Sequence, residues 1–386
     1  MNLAILAKEL YTPLDRIEQP VLLVEEGMIT SVGPLNQHAI PKSYRVLDLG
    51  DCTLAPGYID MHIHGGAGRD VMDTAPDALA AVERLLYSHG VTTYFPTTIT
   101  APIDRTLAAL DHLAGAIEHA RESQELRARP VGIHLEGPFI SHVRPGVHPL
   151  ADLQKPSLAL FDRLWEAARG TVKVLTIAPE LDGAREVISE ATRRGVCVSM
   201  GHSDADLAQA QAGVAAGVRH ATHTFNAMRP LEHRDPGIIG EVLMDERVSA
   251  EIIADGIHVD PLVVRLFLRA KGADGAVLVT DATAATGMPN GRYRLGSLEV
   301  EVKDGKCLRD GRLAGSVLTM DKAVRNIVKF ANWDLQHAVR LATLNPARAA
   351  GLPGHAGMLV AGAPADVVAL NSVGEVVKTI VRGRVA

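Results

Sequence analysis

Pro56-Gly57-Tyr58-Ile59-Asp60-Met61-His62-Ile63-His64-Gly65-Gly66 decides how the rest of the chain is read. A mostly apolar run, Leu54 to Ile63, carries two histidines one residue apart at its end. Alternate residues of a strand face the same side. His62 and His64 can therefore enter one cavity while Met61 and Ile63 pack behind them. Two convergent imidazoles at a strand end, followed by glycines, suit two ligands of one metal ion. A His-x-His pair alone is weak evidence, so its weight depends on what the later strands carry.

Downstream of this stretch the pattern alternates between strand and helix. Strands are expected at Tyr58–His62, Thr92–Thr98, Val131–Glu136, Lys173–Ile177, Val196–Met200, His220–Thr224, Val248–Ala254 and Ala276–Thr280. Between them lie helical patterns such as Pro76 to Leu86, ended by His89-Gly90, then Asp204 to Ala216 and Pro261 to Lys271. Proline at a helix start and glycine after its end are the expected punctuation. This repetition predicts a (β/α)₈ TIM-type barrel over residues 54–353. A Rossmann sheet is disfavoured, because no Gly-x-Gly-x-x-Gly follows a strand. Helices are also expected at Asp321–Ala331 and Leu335–Ala342.

Upstream, residues 1–53 show no helical period. Gln19 to Gly33 reads as a hairpin turning at Glu26-Gly27, and Val46 to Leu49 as another short strand. Residues 354–386 return to strands, Ala365 to Leu370 and Val376 to Val381, with a turn or bulge at Gly383. The two β-rich ends are expected to form one small β-sandwich domain flanking the barrel.

Composition narrows the class. The 386 residues are 47% hydrophobic and 22% charged, enough apolar material for a large core. A net charge of -6 argues against general nucleic-acid or anionic-membrane binding. Three scattered cysteines suit a reducing cytoplasm without a disulfide framework. The first ten residues lack a cleavage-site pattern and no run of about 18 apolar residues occurs, so a cytoplasmic chain without a membrane span is expected.

In such a barrel, working residues sit at the C-terminal ends of the strands. Those ends carry His62 and His64, then Glu136, His202, His223 and Asp281. Singly, each histidine is better read as a packed side chain and Asp281 as a cap. Together they occupy five of the eight expected strand ends, and independent accidents do not give that. The set suits Zn²⁺, with Fe²⁺ or Mn²⁺ as alternatives. Six candidate ligands exceed one tetrahedral ion, so two ions bridged by Glu136 fit. His134, one pleat deeper than Glu136, is read as a structural neighbour. His38, His89, His112, His119, His220, His233, His337 and His355 receive no role.

Several segments, in order along nearly the whole chain, carry a resemblance. They are Pro56 to His64, His134-Leu135-Glu136-Gly137-Pro138-Phe139, Gly201-His202-Ser203, His223 to Met228, Ile252 to Asp260, Val279 to Thr283 and Leu313 to Met320. Together they resemble the N-acetylglucosamine-6-phosphate deacetylase family of the amidohydrolase superfamily. That resemblance implies a homodimer performing metal-dependent deacetylation of a phosphorylated amino sugar. It implies Glu136, His202 and His223 as the metal site that is always occupied, and Asp281 as the catalytic acid and base. It implies His148 and His258 on the sugar, Arg234 on the phosphate of a neighbouring subunit, and contacts from Val147, Asn226, Ala227, Asp255, Leu313, Ala314 and Gly315. Retention of His62 and His64 resembles the two-metal members. Without the resemblance, Arg234 reads as a surface salt bridge to Glu232 or Asp235. A rival amidohydrolase type bridges its metals with a carboxylated lysine at the end of strand four, but here Lys173 sits at that strand's start. A non-catalytic barrel would have lost Asp281 or several ligands.

Overall fold

The computed structural model describes residues 2–385. Met1 and Ala386, the outermost positions of the two segments assigned to the small domain, lie outside the described residues. Eight strands form the barrel: Tyr58–Ile63, Val91–Thr98, Ile133–Glu136, Val172–Ile177, Cys197–Met200, His220–Ala221, Ser249–Ile253 and Ala276–Val279. Each pairs in parallel with the next. The seam between the last and first strands is closed by side chains as well as backbone. Asp60, fully buried, accepts hydrogen bonds from Thr280 Oγ1 at 2.5 Å and Thr280 N at 3.3 Å. Burial pushes its pKa up to about 7 in spite of them. Asp281 N donates to His62 O at 2.9 Å across the same seam. The expected (β/α)₈ barrel is therefore present.

The helices outside the barrel follow from local sequence. Asp206 caps Leu207–Ala216 and shares a reciprocal capping box with Gln209. Asp260 caps the helix that begins at Pro261. Met320–Ala331 buries Met320, Ala323, Val324 and Ile327, a stripe of helical spacing.

The chain ends build two facing sheets. One has the order Met28–Pro34, Pro20–Glu25, Leu3–Leu6, Arg45–Asp48; the other Val376–Ile380, Val367–Leu370, Thr53–Pro56, Glu9–Tyr11, Arg16–Glu18. Leu3, Ile5, Leu22 and Val24 of the first meet Leu10, Leu54, Val367, Ala369 and Ile380 of the second. Their period of two places one apolar row per strand inside, which is the condition for a sandwich. The expected hairpin turns at Glu26 and Gly27, with φ of 50° and 82°. The changeover to the barrel falls at Gly57, whose N–H donates to Asp366 O at 2.9 Å.

Three features depart from the sequence reading. Strand six is paired only over His220–Ala221, not to Thr224, because His223 turns to a φ of 27° and breaks the ladder. Strand three begins at Ile133, and Arg129–Pro130 pairs separately with strand two. A four-stranded antiparallel sheet, Gly291–Leu295, Leu298–Lys303, Lys306–Arg309 and Arg312–Leu313, follows strand eight and was not anticipated. Its signal was legible: Leu298 to Lys303 alternates apolar and charged residues, and Asp304-Gly305 and Asp310-Gly311 are two-residue hairpin turns.

Candidate metal centre

The rim residues reach the cavity by leaving their strands. His202, His223 and Asp281 lie just past the last paired residues and have φ of 47°, 27° and 51°. Left-handed backbone at non-glycine residues is disfavoured and collects at functional sites. Here it turns three side chains inward over the barrel mouth.

Glu136 is the hub. Its Oε1 lies 3.2 Å from His202 Nε2, 3.1 Å from His223 Nε2 and 3.5 Å from His62 Nε2. Its Oε2 lies 3.3 Å from His64 Nε2 and 3.4 Å from His148 Nε2. Asp281 Oδ1 faces His64 Nε2 at 3.2 Å and His62 Nε2 at 3.6 Å. All seven side chains are buried.

The far side of each ring decides what the near side can do. His64 Nδ1 meets Thr97 O at 3.0 Å and His202 Nδ1 meets Arg144 O at 3.1 Å; carbonyls only accept, so both Nδ1 atoms carry the proton. His62 Nδ1 donates to Glu251 Oε2 at 3.0 Å. The Nε2 atoms are thus left with lone pairs aimed inward. Yet His62 and His64 face each other with two such lone pairs at 3.3 Å, while His202 Nε2 faces His223 Nε2, whose Nδ1 has no partner among the described residues to fix its tautomer, at 3.1 Å. Lone pairs so close, beside a carboxylate, need a cation or extra protons between them. This donor set fits a divalent metal. In a metal-free site the carboxylates draw protons instead: although burial pulls it down, His64 is raised to about 9 by Asp281 and Glu136. Glu136 itself, which burial alone would raise, is held well below the usual carboxylate range by His62, His148, His202 and His223. Asp281 is likewise kept ionised by His64 and His62.

His148 differs. The Thr100 backbone N–H can only donate, and it points at His148 Nδ1 from 3.3 Å. Nδ1 is therefore the acceptor, and Nε2 carries the proton. Burial lowers the pKa of His148 to about 4, so the ring is neutral. It presents an N–H donor to the cavity rather than a ligand lone pair.

Several residues without an assigned role hold the site. Glu251, fully buried, accepts from His62 Nδ1, from His223 N at 2.9 Å and from His220 Nε2 at 3.2 Å. Burial alone would raise its pKa, but His62 and His220 keep it ionised. A charged residue inside strand seven was the available signal, since lone buried carboxylates are rare. His220 thereby gains a positioning contact. His134 is satisfied on both nitrogens, by Met61 O at 3.0 Å and Thr176 Oγ1 at 2.8 Å, in keeping with a structural neighbour. His223 Nδ1 is buried with no hydrogen-bond partner among the described residues.

The cavity of about 140 Å³ is lined by His64, Glu136, His148, His202, His223, Asp281 and His258, with Val147, Asn226, Ala227, Leu313 and Gly315. Ile99, Gly146 and Leu295 also line it and were not singled out from sequence. Asp255 stands behind His258, accepting from its Nδ1 at 2.7 Å and from its N at 2.8 Å. Ala314 is fully buried beside the lining. The unanticipated sheet supplies Leu295 and Leu313, and Arg309 Nη1 ties it to the site by donating to Val147 O at 3.0 Å. Arg234 is not brought to this cavity. It is exposed and makes no ion pair among the described residues; Asp235 pairs with Arg229 instead.

The model of the amidohydrolase family matches residues 53–386. The N-acetylglucosamine-6-phosphate deacetylase of Bacillus subtilis (strain 168) is 37% identical over 364 residues, 94% of this chain and 91% of that one. The N-acetylgalactosamine-6-phosphate deacetylase of Escherichia coli O157:H7 is 37% identical over 381 residues, 98% of each chain. The solved structure of a Mycobacterium smegmatis N-acetyl-D-glucosamine-6-phosphate deacetylase mutant, in complex with N-acetyl-D-glucosamine-6-phosphate, matches with a TM-score of 0.93. It is 35% identical and covers 100% of this chain and 99% of that one. The chain therefore belongs to the amidohydrolase family of metal-dependent hydrolases and stands within it among the N-acetylglucosamine-6-phosphate deacetylases.

Proposed function

We propose that the chain hydrolyses the N-acetyl group of N-acetyl-D-glucosamine 6-phosphate, giving D-glucosamine 6-phosphate and acetate, in amino-sugar breakdown or recycling. The observation that carries this reading is the meeting of Glu136 with five imidazole Nε2 atoms, with Asp281 facing two of them. Glu136, His202 and His223 would hold one Zn²⁺, and His62, His64 and Asp281 a second, with Glu136 between. Such an ion, when bound, acidifies water toward neutral pKa and polarises a carbonyl oxygen.

The chain's own groups do the rest. Asp281, ionised, takes the proton from attacking water through its carboxylate and returns it to the departing nitrogen, which would otherwise leave as an unstable anion. His148 donates its Nε2–H to the oxygen that becomes negative as the acetyl carbon turns tetrahedral. His258, oriented by Asp255, positions the sugar. Glu251 fixes His62 by its side chain and His223 through its backbone.

The phosphate needs a cation from elsewhere. A cavity of about 140 Å³ is smaller than the ~300–1,000 Å³ typical of whole-ligand pockets, so part of a sugar phosphate extends past the mouth. No arginine or lysine is among the described residues that line it. In a homodimer, exposed Arg234 of a second copy suits the role, since its planar fork makes paired charge-assisted bonds to phosphate. Arg234→Ala is expected to raise KM for the phosphorylated sugar by about tenfold or more with little change in kcat; an unchanged KM would mean that the phosphate is held by another group. A cytoplasmic location agrees with a phosphorylated substrate, and among the described residues no helix is long and apolar enough to cross a membrane.

Acetate release from N-acetylglucosamine, its 6-phosphate and the galactosamine epimer, with metal-replete enzyme, tests the reading. Turnover is expected on the glucosamine 6-phosphate above both others. Faster turnover of the galactosamine epimer would assign the chain to the chemistry named for its Escherichia coli relative.

A further inference from the structure

The barrel has a second cavity, at the opposite end of its strands. About 340 Å³ of space lies between the starts of strands one, two and four, at Ile59, Thr92 and Lys173, and the sandwich segments at Asp366 and Arg382. Val131, which also lines it, precedes strand three, whose other end carries Glu136, so the two cavities lie at opposite ends of that strand.

The charges around this floor cavity do not balance. Arg121, Arg129, Lys173 and Arg382 line it, against one carboxylate, Asp366. Both oxygens of Asp366 are already engaged: Oδ2 by the Arg129 guanidinium and Oδ1 by the Arg382 backbone N–H at 2.8 Å. Among the described residues the Arg382 guanidinium donates only to a carbonyl, Arg121 O at 2.8 Å. Lys173 makes no hydrogen bond or ion pair among the described residues, and Arg129 Nε is buried with no partner. Burial and the neighbouring Arg129 hold the Arg382 pKa below the usual arginine range. In a chain of net charge -6, half-buried Lys173 and Arg382, which have no carboxylate of their own among the described residues, stand beside Arg129 and favour an anion in the cavity. Leu352 and Met358 supply an apolar wall beside the cations. A volume above about 300 Å³ with few convergent polar groups is the usual form of a small-molecule site.

We propose that this floor cavity is a second ligand site, which takes a small phosphorylated molecule: Lys173, Arg382 and Arg129 meet the phosphate, and Leu352 and Met358 cover the remainder. The proposal uses no residue of the rim and stands apart from the reading of the catalytic cavity. Its test is calorimetric titration of the metal-loaded, full-length enzyme with inorganic phosphate and, separately, with glucose 6-phosphate. Affinity is expected to fall about tenfold or more in Lys173→Met and in Arg382→Gln, the usual loss for a charge-assisted contact. KM and kcat for the acetylated substrate are expected to stay at their wild-type values in both. Lys173→Met breaks no side-chain hydrogen bond or ion pair among the described residues, so it guards against a folding defect in the other variant. For the binding that the two variants lose, inorganic phosphate held as tightly as the ester marks free phosphate as the occupant and a tighter ester marks an organic phosphate; both uphold the site. The proposal is overturned if wild type binds neither probe, or if both variants bind both probes as wild type does.

Discussion

The barrel rim and the sandwich are built by opposite means. In the sandwich, Leu3, Ile5, Leu22, Val24, Leu54 and Val367 alternate into a dry core on regular strands. At the rim, buried Glu136, Glu251 and Asp281 stand among histidines, and His202, His223 and Asp281 hold left-handed backbone. Each such residue costs on the order of 1–3 kcal/mol, and each buried charge adds desolvation that only its partners offset. The rim therefore spends stability that apolar packing elsewhere provides. Changes at the rim should alter chemistry more than folding, and changes in the sandwich the reverse.

Four substitutions sharpen that contrast. Asp281→Asn is expected to lower kcat about 10²–10⁴-fold, with only a modest fall in melting temperature, because His64 and His62 lose the carboxylate they face. Acetate release together with thermal unfolding checks it; near wild-type turnover would remove Asp281 from the chemistry. Leu54→Ala, fully buried in the sandwich, should cost about 2–5 kcal/mol in denaturant unfolding and leave kcat per folded molecule intact. A fall in kcat there would show that the two regions are coupled. Glu251→Gln keeps the shape but loses the charge behind His62. Metal affinity, measured by competition with a chelating dye, should drop about 10–100-fold. The smallest effect is expected at Gly383, where φ is 69° and an added Cβ would meet Val24 Cγ1 at 2.7 Å. Gly383→Ala should destabilise the sandwich by about 1 kcal/mol or somewhat more without changing activity.

The same contrast explains what was readable in the chain. Strand ends can be located from period and punctuation, so His62, His64, Glu136, His202, His223 and Asp281 could be grouped before any contact was known. The gathering of these side chains around Glu136 follows from barrel topology, which the alternating pattern specifies. Backbone detail did not follow. Nothing local in His220 to Thr224 announces that pairing ends at Ala221, because the turn at His223 depends on Glu251, whose carboxylate holds the His223 N–H from the next strand. Glu251 does not stand out in the sequence because a carboxylate in a strand ordinarily faces water, and its partners His62 and His220 make its burial tolerable. The sheet over residues 291–313 was missed for a different reason. Its Asp-Gly turns are present in the sequence, but its strands lie outside the strand–helix alternation that specifies the barrel. The tautomer of His148 is set by the Thr100 N–H, a contact across 48 residues that no pattern encodes.

The most direct test of the shared metal centre is removal and return of the ion. The enzyme would be stripped by a chelator, then titrated with Zn²⁺ while acetate release from N-acetylglucosamine 6-phosphate is followed. Activity is expected to vanish on stripping and to return as about two equivalents per chain are bound. Full turnover by a chain shown to be metal-free would contradict the account.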